Sequence, residues 1–178
     1  FAFGQARSDP ANDVLWGATP ETRYVQLALT LVAFLLIVPG LTTPNPTSVR
    51  QEGALDRPDV ARGMLRITRH PFLWGVALWA LGHLLVNGDA ASLILFGSLL
   101  ALALFGTASI DAKRKRVLGS KWDPFAGITS NAPFLAIIQR RQRLSLGEIG
   151  WWRIALAIVI WATLTWAHPY FTGVAALP

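Results

Sequence analysis

Apolar runs near 22–39, 70–87, 90–110 and 149–167 constrain this chain more than any other feature. Nearly all of the charge lies in the loops between them. About 20 apolar residues in an α-helix cross the ~30 Å hydrocarbon core of a bilayer. In that medium only helices and closed barrels satisfy every backbone N–H and C=O. The composition agrees, with 53% hydrophobic and 15% charged residues, where a soluble domain carries about 25% charged. The predicted fold is all-α: a polytopic membrane helical bundle of about four transmembrane helices with short interfacial helices. It is read as a single membrane domain over 1–178. The second run is short, about 24 Å from Pro71 to Val86 at the helical rise.

Local signals set the helix ends. Thr19 suits the N-cap, Pro20 the first helical position and Glu21 the first turn. Pro39-Gly40 is expected to stop that helix. Asn87-Gly88-Asp89 joins the second and third runs into a tight antiparallel hairpin, with Gly88 as a left-handed C-cap and Asp89 as the next N-cap. Ser145-Leu146-Gly147-Glu148 has a capping-box pattern before the fourth run. Two loop stretches, 58–68 and 133–143, read as short amphipathic helices in the headgroup layer. The first sets Arg62, Arg66 and Arg69 on one face, and Ser130 or Asn131 would cap the second.

The net charge of +6 has a topological meaning. Loop 40–70 holds Arg50, Arg57, Arg62, Arg66 and Arg69, and loop 111–148 holds Lys113, Arg114, Lys115, Arg116, Lys121, Arg140, Arg141 and Arg143. The opposite side has only Arg7 and Arg23. The positive-inside rule puts both loops in the cytoplasm and both ends of the chain outside it. Basic residues between apolar helices point to anionic lipid as a partner, with room for membrane-protein partners, and away from nucleic acid. Cysteine is absent, which excludes disulfides, iron–sulfur clusters and thiolate ligands. The sequence opens at Phe1 without an initiator Met, and further residues are expected before it.

Three histidines carry most of the potential chemistry. His83 lies within an apolar run, where an ionisable residue needs a partner. His70 is thirteen residues away, about 20 Å along a helix, and points to a nearly opposite face, so the two cannot share a metal. His168 ends the fourth run at a depth similar to His83. A neutral imidazole from each of two helices would suit haem iron. The plainer reading is a packed His bonded to Ser, Thr or a backbone carbonyl. Arg69-His70 would contact a substrate phosphate or anchor the helix at the headgroups. Asn87 and Asp89 would hold a substrate or a haem propionate, or serve only the turn. There is no Ser–His–Asp set, P-loop, GxGxxG or HExxH.

Several stretches in order resemble the NnrU family of membrane proteins. They are Arg69-His70-Pro71-Phe72-Leu73-Trp74-Gly75, the run Leu78-Trp79-Ala80-Leu81-Gly82-His83-Leu84-Leu85-Val86-Asn87-Gly88-Asp89, and Leu93-Ile94-Leu95-Phe96-Gly97. Lys121-Trp122-Asp123-Pro124-Phe125, Thr129-Ser130-Asn131-Ala132-Pro133-Phe134 and His168-Pro169-Tyr170-Phe171-Thr172-Gly173-Val174 follow. The resemblance implies a multi-pass protein of the bacterial inner membrane, from a family named for a denitrification gene linked to nitric oxide metabolism. The 15-cis-zeta-carotene isomerase of plants and cyanobacteria resembles the same family. It is a haem b protein whose iron changes ligand on reduction. By that resemblance haem b is the cofactor and His83 matches an iron-ligating His; His168 is a further candidate from its similar depth. Two departures stand out. Family members begin with additional helices that include an early His, and this chain lacks them. The isomerase has a Cys three residues before its ligand His, where this chain has Ala80. Two other classes remain open. Isoprenylcysteine-type membrane methyltransferases share an Arg-His-Pro helical hairpin, although Asp111-Ala112-Lys113-Arg114-Lys115-Arg116 is basic where they carry an acidic pair. The other is a non-catalytic subunit or assembly factor of a membrane complex.

Overall fold

The computed structural model describes residues 2–177. Among them the regular structure is helical: α1 Ala2–Ser8, α2 Pro20–Thr42, α3 Met64–Ile67, α4 Pro71–Val86, α5 Ala90–Leu118, α6 Trp122–Ile128, α7 Leu135–Ile138 and α8 Trp151–Thr172. Helices α2, α5 and α8 are long and apolar enough to cross a membrane, and α4 is a shorter apolar helix. The chain is a membrane protein built on these helices.

Helix α2 starts as its sequence predicts. The Thr19 side chain accepts from Thr22 N at 3.3 Å, and Thr22 Oγ1 accepts from Thr19 N at 2.8 Å. Pro39-Gly40 does not end it, contrary to expectation. Both residues are buried, and a Cβ at Gly40 would lie 2.9 Å from Phe72 N. Packing against the start of α4 thus holds a last turn that local propensity would release. Thr43 N and Thr42 Oγ1 donate to the carbonyls of Pro39 and Val38, so the helix end is not left unsatisfied.

The α4–α5 hairpin forms, with one change of roles. Asp89 caps α5 as expected, accepting from Ser92 N at 3.0 Å. Gly88 does not take a left-handed conformation. Asn87 ends α4, its N and Nδ2 both donating to His83 O. Gly88 instead admits Trp16, whose indole carbons lie 2.3–2.4 Å from where a Cβ would stand. The N-terminal segment covers this turn: α1 packs on α5, and Leu15 N donates to Gly88 O.

In space the order is α8–α2–α4–α5, neighbours running antiparallel. Gly75 of α4 sits against Ile37 and Ala33 of α2, and Gly82 against Leu29 and Gln26. These small residues let two backbones approach, as packing in lipid favours. Helix α8 docks on α2 through Trp161 Nε1 to Thr30 Oγ1 at 3.1 Å and Arg153 Nε to Thr42 Oγ1 at 3.0 Å. Only Ala157 of α8 is buried. Helices α5 and α8 therefore form the two edges of an open row.

At one end the loops make a folded cap. Its core is Ala61, Leu65, Trp122 and Phe125, with Met64, Ile67 and Ile149 beside it. The amphipathic helices expected over 58–68 and 133–143 shrink to the single turns α3 and α7. Positive φ at Gly63, Phe134 and Arg140 breaks each one. The arginines expected on one face go to three different acids: Arg62 to Asp59, Arg66 to Glu148 and Arg69 to Asp111. Met64, Leu65 and Ile67 of α3 thus join the cap core, and Ile137 of α7 packs against it. Ser130 Oγ still accepts from Ala136 N at 3.0 Å. The capping box expected at 145–148 is absent. Glu148 bonds Arg66 and Gly63 N, and Gly150 precedes α8 without a side-chain cap.

Candidate functional site

The chemistry-bearing side chains gather at the two ends of the row. At the cap end, Pro71 starts α4 and fixes the direction of the two residues before it. Arg69 O accepts from Asn45 Nδ2 and Thr47 Oγ1, each at 3.0 Å, and Arg69 N donates to Ser130 O. With its backbone clamped, the Arg69 guanidinium forks onto Asp111, Nε at 2.9 Å and Nη2 at 2.8 Å from Oδ2. His70 Nε2 lies 2.8 Å from Asp111 Oδ1. A carboxylate only accepts, so His70 carries its hydrogen on Nε2. The imidazole is 1% exposed and the guanidinium 13%. Arg69 and His70 are therefore placed in a buried ionic cluster.

Asp111 is the member of this cluster that the sequence did not single out. It stands where α5 leaves its apolar stretch, next to a run of basic residues. The available signal was the hairpin register: Leu73 of α4 meets Gly106 of α5, which brings the following turn of α5 level with Arg69-His70. Around the cluster, Trp74 Nε1 and Thr68 Oγ1 both donate to Asn131 O. Arg114 bonds Glu52 and the carbonyl of Ser48. Every fully buried side-chain N and O atom among the described residues has a partner. These bonds make the cluster a device for positioning helices, while His70 Nδ1 has no hydrogen-bond partner among the described residues.

The opposite end is different. His83 Nδ1 lies 2.8 Å from the carbonyl of Trp79, one turn earlier. That oxygen only accepts, so Nδ1 holds the hydrogen and Nε2 keeps its lone pair. The ring is held between Trp79, at 4.2 Å between centroids, and Phe96, stacked at 4.8 Å. Phe3 of α1 meets the edge of Phe96. His168 repeats the arrangement: Nδ1 lies 2.7 Å from Val174 O and 2.9 Å from Thr172 Oγ1. Neither Nε2 has a hydrogen-bond partner among the described residues. The two imidazoles lie at the same end of the row, on α4 and α8, with α2 between these helices.

Asn87 and Asp89 sit beside them in structural roles. Asp89 accepts from Ser92 Oγ at 2.7 Å and Asn12 Nδ2 at 3.2 Å, and pairs with Arg7 at 3.3 Å. Burial works to raise the Asp89 carboxyl, but the bonds from Ser92 and Asn12 and the Arg7 charge outweigh it and hold it below its usual range. No group of three or more His, Cys, Asp or Glu able to hold a metal ion lies among the described residues.

Nε2 of His83 and Nε2 of His168 are the donors that would hold a haem iron. Each imidazole presents Nε2 while a hydrogen bond to Nδ1–H fixes tautomer and ring orientation, the arrangement that metal-ligating histidines use. Ala80, three residues before His83, offers no sulfur.

The NnrU protein family model matches residues 1–176. Two chloroplastic 15-cis-zeta-carotene isomerases, from Zea mays and Arabidopsis thaliana, are each 32% identical over 104 residues. That stretch covers 57% of this chain and 28% of either relative, so the chain spans well under half of their length. No solved structure matches the chain.

Proposed function

Because the chain belongs to the NnrU family, we propose that it is a haem b-binding, isomerase-like protein of the bacterial inner membrane. The observation that carries the haem reading is the pair of imidazoles, His83 and His168, each with Nδ1 tied and Nε2 open at one end of the row. The isomerase reading leans on the two relatives that bear that name. Haem, when bound, supplies one-electron and Lewis-acid chemistry to an otherwise apolar site. The chain's own residues hold and orient. Trp79 O keeps the His83 tautomer, Trp79 and Phe96 clamp its ring, and the Phe3 edge narrows access of water. With Ala80 at the position of the isomerase Cys and no cysteine elsewhere in the sequence, a His/Cys exchange of iron ligands would find no thiolate. The basic cap faces the cytoplasm by the positive-inside rule, which sets His83 and His168 toward the periplasm. A role in nitric oxide or denitrification metabolism belongs to the same reading.

The test is a reduced-minus-oxidised absorbance spectrum with a pyridine haemochrome assay on detergent-purified protein. Wild type should carry stoichiometric b-type haem. His83→Ala should lose it, and His168→Ala should lose it or shift its bands. Folded protein without haem, or full retention in His83→Ala, refutes the reading.

A further inference from the structure

A cleft of about 400 Å³ opens in the cap beside the C-terminal end of α2. Thr42, Thr43, Pro44, Gln51, Arg50 and Arg57 are among the residues that line it. We infer that this cleft binds the phosphate of an anionic phospholipid headgroup through Arg50 and Arg57.

The charge is available. Neither guanidinium has an ion-pair or hydrogen-bond partner among the described residues. The acids nearby are largely taken: Glu52 pairs with Arg114, and Asp59 with Arg62 at 2.8 Å. Asp56 alone stays without a cationic partner among the described residues, against two free guanidiniums. The opposition of the helix end to an anion is reduced, because two of its last four carbonyls, Pro39 and Thr42, are bonded. Thr42 Oγ1 bonds Val38 O, Thr43 N bonds Pro39 O, and Arg153 Nη2 bonds Thr42 O at 3.1 Å.

The loop is also fixed in advance. Arg50 has φ +60°, a left-handed conformation that a bulky residue rarely adopts. Such strain persists only where the surroundings enforce it. Here Arg114 Nη2 grips Ser48 O at 2.7 Å on one side, and Gln51 Oε1 accepts from Asn45 N at 2.9 Å on the other. A fixed backbone limits where the Arg50 guanidinium can reach, and a guanidinium binds phosphate as a planar fork.

Position favours a lipid over free phosphate. The cleft lies where a membrane-crossing helix ends, at headgroup level. Leu41, which lines it, is 62% exposed, and Val49 next to Arg50 is 85% exposed. Two bare aliphatic side chains beside a cationic cleft match a headgroup with its acyl chains attached.

Native mass spectrometry of the detergent-solubilised chain tests this, titrated with dioctanoyl phosphatidylglycerol, dioctanoyl phosphatidylcholine and inorganic phosphate. One phosphatidylglycerol per chain should bind, in preference to phosphatidylcholine. Arg50→Gln/Arg57→Gln should weaken it about tenfold or more. The exposed Arg57→Gln alone should show a large part of that loss without touching the strained turn. Arg116→Gln/Lys121→Gln removes the same charge elsewhere on the cap and should change binding less than about twofold. An equal loss in that control means diffuse surface attraction and overturns the site. Equal binding of phosphatidylcholine overturns the charge assignment. Inorganic phosphate competing at similar concentration makes the ligand a free anion and overturns the lipid.

Discussion

Asp111→Ala should be the most damaging single change in the cap. The carboxylate stands between two groups that water barely reaches, the Arg69 guanidinium at 13% exposure and the His70 imidazole at 1%. Removing one partner of a buried pair costs about 3–5 kcal/mol, because the other charge stays behind unpaired. Asp111 itself is 19% exposed, so some water reaches the gap and the lower part of that range applies. Arg69 would keep only long contacts, 3.3 Å to Thr129 Oγ1 and 3.5 Å to Ala126 O. His70 Nε2–H would lose its acceptor, an orphan worth about 1–3 kcal/mol that overlaps the first cost. The net expectation is about 3 kcal/mol. Asp111→Asn keeps one acceptor oxygen and should cost about half of that. The double change Arg69→Met/Asp111→Leu removes both charges and should recover most of the loss, since apolar replacements of buried pairs are often neutral. Reversible unfolding in mixed detergent micelles, followed by far-ultraviolet circular dichroism, measures all four proteins. Asp111→Ala within about 0.5 kcal/mol of wild type would refute the view of the cluster as a buried clamp, on the magnitudes used here. So would a double variant no more stable than Asp111→Ala.

Three further outcomes follow from the packing and the charges. Gly75→Ala would put a Cβ 2.5 Å from Ile37 Cγ1 and 2.8 Å from Ala33 O; a backbone oxygen cannot retreat, so the same unfolding assay should show a loss of about 1–3 kcal/mol, while Gly97→Ala, in open space, should be neutral or slightly stabilising. Asp89→Ala removes the cap of α5 and the acceptor for Asn12 and Arg7, costing about 1–2 kcal/mol, and should speed tryptic cleavage after Arg7 as the N-terminal segment loosens. Glu148 is lowered from 4.5 to about 2, chiefly by the Arg66 hydrogen bonds and then by Gly63 N; its stabilisation is complete above pH 4.5 and is lost as pH falls toward 2. The side chain is 28% exposed, so after screening the effect is about 1 kcal/mol, and Glu148→Gln should remove that part of the acid sensitivity from the unfolding curve.

What the sequence made legible was local. Thr19 and Asp89 cap their helices because a short polar side chain beside an apolar run has one good use. The apolar runs locate the long helices, since the bilayer imposes their length. Pro39-Gly40 misled, because the last turn of α2 is held by the start of α4, a contact that lies outside any window around it. The stretches 58–68 and 133–143 misled for a related reason. Their helical period is real, but Arg62, Arg66 and Arg69 each find a better acid elsewhere, and three positive-φ residues break the pattern. His83 and His168 were visible as candidates from residue type and depth. Their shared tautomer was not, because the Trp79 and Val174 carbonyls that set it are backbone atoms. Asp111 was hidden by its company. A single acid heading a basic run reads as part of a charged surface until the hairpin register places it opposite Arg69.

The two ends of the row are linked through α4. A 16-residue helix is short for a membrane and has little apolar length with which to fix its own depth. Slippage by one residue would rotate it by about 100° and shift it by 1.5 Å. The Arg69–His70–Asp111 cluster prevents that at the first turn by tying α4 to α5, while Gly75 and Gly82 hold it against α2. His83 lies thirteen residues beyond His70, about 20 Å along a rigid rod, so the rotation set at the cap decides where its Nε2 points. The buried cluster thereby contributes to the candidate site at the other end. It is a positioning device, and the loops of the cap supply its remaining partners.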